Sequence, residues 1–232
     1  MTDILTAGLT GLGLDPAAAP ALERYAGALL EKNKVMNLTA ITQPDQVATL
    51  HLLDCAALLP LAPLAGKTVI DVGTGAGLPG MVLALLTPDA RFTLLDSLGK
   101  RIDFLQEVCG DMGLTHVTCV HARAEEFAGQ HREQYDVAVS RAVAQLNVLC
   151  ELTLPLVKVG GRFIAMKSTS SDQEIQEARS AVAQLGGRIA AVRDYDVPQT
   201  DVRHRAVIIE KVTATPRQFP RSFARIKKSP LR

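Results

Sequence analysis

Several things are missing from this 232-residue chain, and each absence narrows the reading. No apolar run approaches the roughly 18 residues a membrane span needs, because Pro60, Pro63 and Gly66 break up the richest stretch. No basic segment precedes an apolar one near Met1, so no secretory signal is expected and the cytoplasm is the expected compartment. The four cysteines, Cys55, Cys109, Cys119 and Cys150, lack metal-ligand spacing and lie among apolar neighbours. Reduced, buried thiols are therefore expected, with no disulfide and no metal. Asn37-Leu-Thr39 fits a glycosylation sequon, which has no meaning in a protein that is not secreted. No internal repeat is visible.

What is present is a globular composition, 47% hydrophobic and 21% charged, long enough for one large core with a small appendage. The net charge of +1 hides an asymmetry. Residues 217–232 carry Arg217, Arg221, Arg225, Lys227, Lys228 and Arg232 and no acidic residue, so residues 1–216 are net acidic. A polyanion partner is one reading of that split; a solvated end with no specific partner is the other.

Along the chain, Asp15-Pro16 reads as a helix cap followed by Leu22, Tyr25, Ala26, Leu29 and Leu30 at helical spacing. A second helix is expected from Thr42, with Asp45 completing a capping box, through Leu58. From Thr68 onward strands alternate with helical patterns: Thr68–Val72, Arg91–Asp96, Val117–His121, Tyr135–Ser140 and Arg162–Lys167. That alternation predicts an α/β fold with a mostly parallel twisted sheet and helices on both faces. Asp172–Leu185 reads as a helix ended by Gly186-Gly187, and Arg188–Val192 and Arg205–Val212 as closing strands. The expected organisation is a helical extension over 1–64, a core over 65–212, and a basic arm over 213–232. Pro216, Pro220 and Pro230 suggest that the arm is extended.

The most informative stretch is Val69-Ile-Asp-Val-Gly-Thr-Gly-Ala-Gly-Leu-Pro-Gly80. A β-branched strand halts at glycines whose bare backbone lets a ligand approach closely. About twenty residues on, the next strand ends in Asp96, where a carboxylate can meet a ribose. Gly75 to Gly80 fits the dinucleotide pattern G-x-G-x-x-G, but counted from the strand end the frame is D-x-G-x-G-x-G. Asp71 then stands at the strand tip, where it could help hold an ammonium group, which a dinucleotide lacks, or simply cap a helix. S-adenosyl-L-methionine is favoured over a nicotinamide cofactor. Ala124-Glu125, after the third strand, could meet the adenine or cap a short helix.

Taken with Asn33-Lys34, Asn37-Leu-Thr39, His51-Leu-Leu-Asp54, Leu94 to Arg101, Ser140-Arg-Ala142, Lys167, Arg203-His204 and the Pro216–Leu231 tail, these motifs make the chain resemble a bacterial family. It is the 16S ribosomal RNA guanine-N7 methyltransferases, called RsmG or GidB. The resemblance spans nearly the whole chain. It implies a class I, Rossmann-like methyltransferase fold, S-adenosyl-L-methionine as donor with S-adenosyl-L-homocysteine as product, and methylation of one guanine in the 530 loop. Carried over by position, it puts the donor site at Gly73, Leu78, Ala124, Glu125 and Arg141, with Asp96 and Ser97 beside the ribose. Asp71, Gly75 and Gly77 join them from the turn itself. Ala76 and Ser168 stand where the family commonly has proline and glycine. There is no tryptophan near Asn33, and Met36 occupies a position often aromatic.

Guanine N7 has a lone pair and no proton at neutral pH, so methyl transfer to it needs no general base and positioning should dominate. The fourth strand ends in Ser140-Arg141-Ala142 rather than an Asn-Pro-Pro-Tyr segment, and no cysteine follows a proline. Both features argue against amine and pyrimidine carbon-5 methylation. Arg141 could bridge the donor carboxylate, read the guanine O6 edge, or form a structural ion pair. Lys167 could hold a phosphate or the base, or lie along the surface. The expected RNA-binding cations are Lys100, Arg101, Lys167, Arg203, Arg217, Arg221, Arg225, Lys227 and Lys228. The expected partner is 16S ribosomal RNA or a small-subunit particle, met by a monomer. His51 and Asp54 are expected to pair on one helix face. The competing readings are a nicotinamide oxidoreductase, which would need a second dinucleotide half, and a catalytically silent RNA-binding module.

Overall fold

A computed structural model describes residues 1–141 and 144–232. Ala142, the last residue of the Ser140-Arg-Ala142 motif, lies outside the described residues.

The chain opens with a helix the sequence pattern did not reveal, α1 (Thr2–Gly11), which buries Leu5 and Leu9. The Asp15 side chain accepts from Ala17 N and starts a 3-10 turn leading into α2 (Ala19–Met36), which buries Leu22, Tyr25, Ala26 and Leu29. Asn37 ends α2 in the left-handed conformation that asparagine tolerates better than most residues. The second expected helix departs from its expected form. It starts at Pro44, after Gln43 rather than a Thr42 capping box, as α3 (Pro44–Val47). It then widens into a π-turn over Ala48–Leu53 and closes with α4 (Asp54–Ala56). Proline at the first helical position supplies the start that a capping box was expected to give.

The strands β1 (Thr68–Val72), β2 (Arg91–Asp96), β3 (Val117–His121), β4 (Tyr135–Arg141), β5 (Val157–Ser168), β6 (Gly187–Asp196) and β7 (Arg203–Lys211) form one sheet. Its order is β3-β2-β1-β4-β5-β7-β6. Pairs among β1 to β5 are parallel, and β7 runs antiparallel to both β5 and β6. The crossover helices are α5 (Gly80–Leu86), α6 (Gly99–Met112), α7 (Ala124–Gln130), α8 (Leu146–Thr153) and α9 (Asp172–Gln184). β5 begins five residues earlier than the sequence suggested. The Gly160-Gly161 pair lies inside the strand, where a Cβ on Gly161 would sit 2.6 Å from Asp136 O.

Two apolar layers cover the sheet. One joins Leu5, Leu22, Tyr25 and Leu53 to Leu83, Phe92 and Leu105, so the N-terminal helices share a core with α5 and α6. The other gathers Leu149, Phe163, Ile175 and Ile209 and includes Phe219 and Ile226 from the tail. The tail is accordingly not an extended arm. It contains α10 (Phe223–Lys228), whose Ile226 is fully buried. Arg132 donates to the carbonyls of Thr215, Pro216 and Phe219 and holds the approach to this helix. Two buried apolar side chains, Phe219 and Ile226, in a basic, proline-interrupted segment are too few to give a periodic signal.

Candidate active site

β1 leaves the sheet at Val72, and the backbone turns with positive φ at Gly73, Gly75 and Gly77. Gly77, at φ 103°, could not carry a side chain, since its Cβ would lie 2.8 Å from both Leu105 Cδ2 and Tyr25 Oη. Gly73 N and Thr74 N both donate to Leu95 O, tying the turn to the end of β2 (2.8 and 3.0 Å). From the N-terminal helices, Tyr25 Oη donates to Ala76 O at 2.6 Å. Asp96 fastens the loop from the other side. Its Oδ2 accepts from Gly75 N (2.9 Å), its Oδ1 from Leu98 N (2.9 Å), and Arg101 Nη1 stands 3.4 Å away. Each carboxylate oxygen keeps acceptor capacity for a further hydroxyl.

Asp71 lies elsewhere than an ammonium-binding role requires. It is fully buried under the turn, where Oδ2 accepts from Thr74 Oγ1 (2.7 Å) and Gly80 N (2.8 Å). Asp71 Oδ1 has no partner among the described residues. Burial pushes its carboxyl up to about 7. Asp71 is thus the helix-capping group of the loop and not part of its open face. Gly80 has its own reason to be glycine, because a Cβ there would meet Leu94 Cδ2 at 2.4 Å where α5 packs on β2.

Above the strand tips lies a cavity of about 600 Å3, the size of a small-molecule site. Gly73, Gly75, Leu78, Asp96, Ser97, Ala124, Glu125 and Arg141 all line it, whereas Asp71 and Gly77 do not. The cavity follows the sheet order, from Ala124 and Glu125 beyond β3, past Asp96 on β2 and the β1 turn, to Arg141 on β4. Its dimensions and the fixed carboxylate on β2 fit an elongated adenosine compound bearing a ribose.

At the β4 end the expected His51–Asp54 pair is replaced by a larger assembly. Asp54, 1% exposed, accepts from Tyr195 Oη (2.9 Å) and His204 Nδ1 (2.8 Å) through Oδ1. Its Oδ2 lies 3.4 Å from Arg141 Nη1. Both terminal guanidinium nitrogens of Arg141 also approach His51 Nδ1 at 3.4 Å. Burial and the neighbouring Arg141 charge bring His51 down to about 4, so the ring is neutral near pH 7. Its Nε2 lies 2.7 Å from Thr39 Oγ1, and its Nδ1, beside Arg141, also lies 3.1 Å from Leu50 O. Asn33 clips Thr39 in place by two 2.9 Å bonds, Nδ2 to Thr39 O and Thr39 N to Oδ1. The hydrogen bond to Asp54 raises the His204 imidazole above its usual value.

The expected RNA cations fall into two groups. Lys100, Arg203, Arg217, Arg225, Lys227 and Lys228 are exposed, Arg203 beside the exposed Asp196. The others are engaged inside the protein. The Lys167 side chain is 8% exposed and donates to Glu174 (2.6 Å) and Ala144 O (2.7 Å). Arg221 pairs with Glu151, which is fully buried, through both carboxylate oxygens, and Arg101 sits against Asp96. The Arg221–Glu151 pair is invisible in a sequence where its partners are 70 residues apart. Sequence reasoning also missed Tyr195, Arg123 and Phe223. Tyr195 could have been found only by pairing β6 with β7, where it faces His204. No group of three or more potential metal ligands occurs among the described residues, and no helix there is long and apolar enough to cross a membrane.

This sheet, with a ligand crevice at the ends of its parallel strands, is that of class I methyltransferases, and solved structures share it. TrmN from Thermus thermophilus superposes with a TM-score of 0.53 at 23% identity, covering 68% of this chain and 48% of that one. TYW2 of M. jannaschii, in complex with AdoMet, gives 0.52 at 14% identity, covering 63% and 69%. These likenesses establish the fold. The family follows from closer relatives. Residues 18–202 match the GidB family, rRNA small subunit methyltransferase G. The ribosomal RNA small subunit methyltransferase G of Clostridium botulinum (strain Loch Maree / Type A3) is 46% identical over 90% of this chain and 88% of its own length. That of Alkaliphilus metalliredigens (strain QYMF) is 44% identical over 96% and 94%. The chain belongs to this family and is a methyltransferase.

Proposed function

We propose that the protein methylates N7 of a guanine in the 530 loop of 16S ribosomal RNA, using S-adenosyl-L-methionine and releasing S-adenosyl-L-homocysteine. The observation that carries the reading is the cavity itself. A ribose-binding carboxylate on β2 is already fixed by two backbone N–H groups, and a guanidinium stands at the other end within a family of ribosomal RNA methyltransferases. The bound donor supplies an electrophilic sulfonium methyl. Asp96 holds the ribose hydroxyls, with Ser97 beside them, while Ala124 and Glu125 border the adenine. Arg141, braced by Asp54 and His51, meets the donor carboxylate or the guanine O6 edge.

No proton leaves guanine N7 in the transfer, so no side chain has to act as a base. Holding the nucleophile and methyl in line can supply roughly 7–11 kcal/mol as effective molarity. The neutral His51 agrees with a site that positions rather than titrates. Lys167, drawn inward by Glu174, acts by fixing the segment after β4. The exposed Lys100, Arg203, Arg217, Arg225, Lys227 and Lys228 meet RNA phosphates, in free 16S RNA or a small-subunit particle. The protein works as a cytoplasmic monomer. Mass mapping of 16S RNA from cells lacking this chain tests the reading. A 530-loop guanine that loses its methyl group, and regains it when the gene is restored, is expected; a guanine still fully methylated in those cells overturns it.

A further inference from the structure

The tail, outside the 18–202 stretch that matches the family, contributes a side chain to the cavity. Phe223, the first residue of α10, lines the cavity and is 37% exposed. Its ring lies against the Arg123 guanidinium, 5.7 Å from carbon to centroid. Arg123 directly precedes Ala124 and Glu125, so Phe223 stands at the β3 end of the cavity, away from Arg141 at the β4 end. The only other large apolar side chain that both lines the cavity and is exposed, among the described residues, is Leu98, just beyond β2. Two exposed apolar side chains at one end of the cavity suit a flat, uncharged ring system. The segment carrying Phe223 is held from behind, by Ile226 in the core and by the Arg221–Glu151 pair, so the ring is presented from a fixed support.

Resting on the donor reading above, we propose that Phe223 stacks on the adenine of the methyl donor, making the C-terminal segment part of the donor site. The ring is at the wrong end for the target base. The segment also carries the exposed Arg225, Lys227 and Lys228, so RNA phosphates and the donor adenine bear on the same short element.

The test is calorimetric titration of the full chain with S-adenosyl-L-homocysteine and with adenosine. Phe223→Ala is expected to weaken both by the same factor, about tenfold or more, the loss typical of a deleted aromatic–base stack. Phe223→Tyr is expected to bind as the wild type does. The chain has no tryptophan, so Phe223→Trp also installs a single indole at the position, and its emission, excited selectively over tyrosine, should be quenched on saturation with S-adenosyl-L-homocysteine. Unchanged affinity in Phe223→Ala overturns the stacking role while leaving the donor reading intact, and so does unchanged indole emission from Phe223→Trp at calorimetrically proven saturation. Failure of the wild type to bind S-adenosyl-L-homocysteine overturns both.

Discussion

At the β1–β2 end of the cavity the fixed contacts join residues close in sequence, mostly through the backbone: Gly75 N to Asp96 across 21 positions, Gly80 N to Asp71 across 9, and Leu98 N to Asp96 across 2. At the β4 end they join side chains from distant elements, with 87 positions between Arg141 and Asp54, 141 between Tyr195 and Asp54, and 150 between His204 and Asp54. The turn at the first end is held by the pairing of two adjacent parallel strands, with the Tyr25 hydroxyl on Ala76 O as its one long-range side-chain contact named above. The second requires the N-terminal helices, β4, β6 and β7 all to be in place. The β1–β2 end is thus held mostly by local contacts, whereas the β4 end depends on how the N-terminal helices sit against the sheet.

The sharpest test of the division is Asp96→Ala. It removes the acceptor of both loop N–H groups and the expected ribose contacts, each charge-assisted bond being worth about 1.5–3 kcal/mol. Binding of S-adenosyl-L-homocysteine should fall at least about 100-fold by calorimetry, and a loss under about fivefold would show that the loop, not the carboxylate, defines the donor end.

Asp54→Asn probes the other end. It strands three donors on a group too weak to hold them, and removing a charge from a buried ionic cluster costs roughly 3 kcal/mol of stability. Turnover on the RNA substrate is expected to drop about tenfold, the effect of Arg141 losing its brace, while donor affinity changes less than about threefold. Equal losses in donor affinity for the two variants would erase the distinction between the ends.

The same division explains what could be read from the chain. β1, β2 and β3 were legible to the residue as short apolar or β-branched runs, with Gly73 after β1 and Asp96 closing β2 to mark their ends. The place of Asp96 at the end of β2, against the glycine turn, was legible because its partners are near in sequence. Asp54 was not, since His51 at i−3 looked like its partner and nothing local announces Tyr195 or His204. Lys167 and Arg221 were taken for surface cations because Glu174 and Glu151, which hold them, lie on separate helices. The reading frame of the glycine turn was legible, yet Asp71's direction was not. A carboxylate at a strand tip faces the ligand or the helix behind it with the same sequence, and here Gly80 N and Thr74 Oγ1 draw it behind.

A smaller effect separates the ends by pH. His204 has a folded pKa above its unfolded value, owing to the bond to Asp54. Its contribution is therefore fully present below the unfolded value, near 6.5, and is lost as pH rises through the raised folded value. The charged and titratable groups facing it are Asp54, Arg141 and Tyr195. In denaturant unfolding between about pH 5.5 and 8.5, the wild type should exceed His204→Gln most at the acid end, with the gap closing toward alkaline pH. A gap that widens with pH would mean that His204 is neutral in the fold and bound to Asp54 only as a neutral donor.

The smallest expected effect concerns the tail, where the same contrast between enclosed and open charges recurs within a few residues. Arg221 is committed to buried Glu151, whereas Lys227 and Lys228 extend from the open side of α10. Each cation that neutralises a phosphate contributes about 0.7 to the slope of log affinity against log salt on single-stranded RNA. Lys227→Ala combined with Lys228→Ala should therefore lower that slope by about 1.4 and leave the unfolding midpoint unchanged. Arg221→Ala should do the reverse, leaving the slope as it is and lowering the unfolding midpoint by stranding a carboxylate in the core. If Arg221→Ala shifts the salt slope as much as the lysine pair does, the ion pair with Glu151 opens when RNA binds, and the enclosed cation belongs to the RNA surface after all.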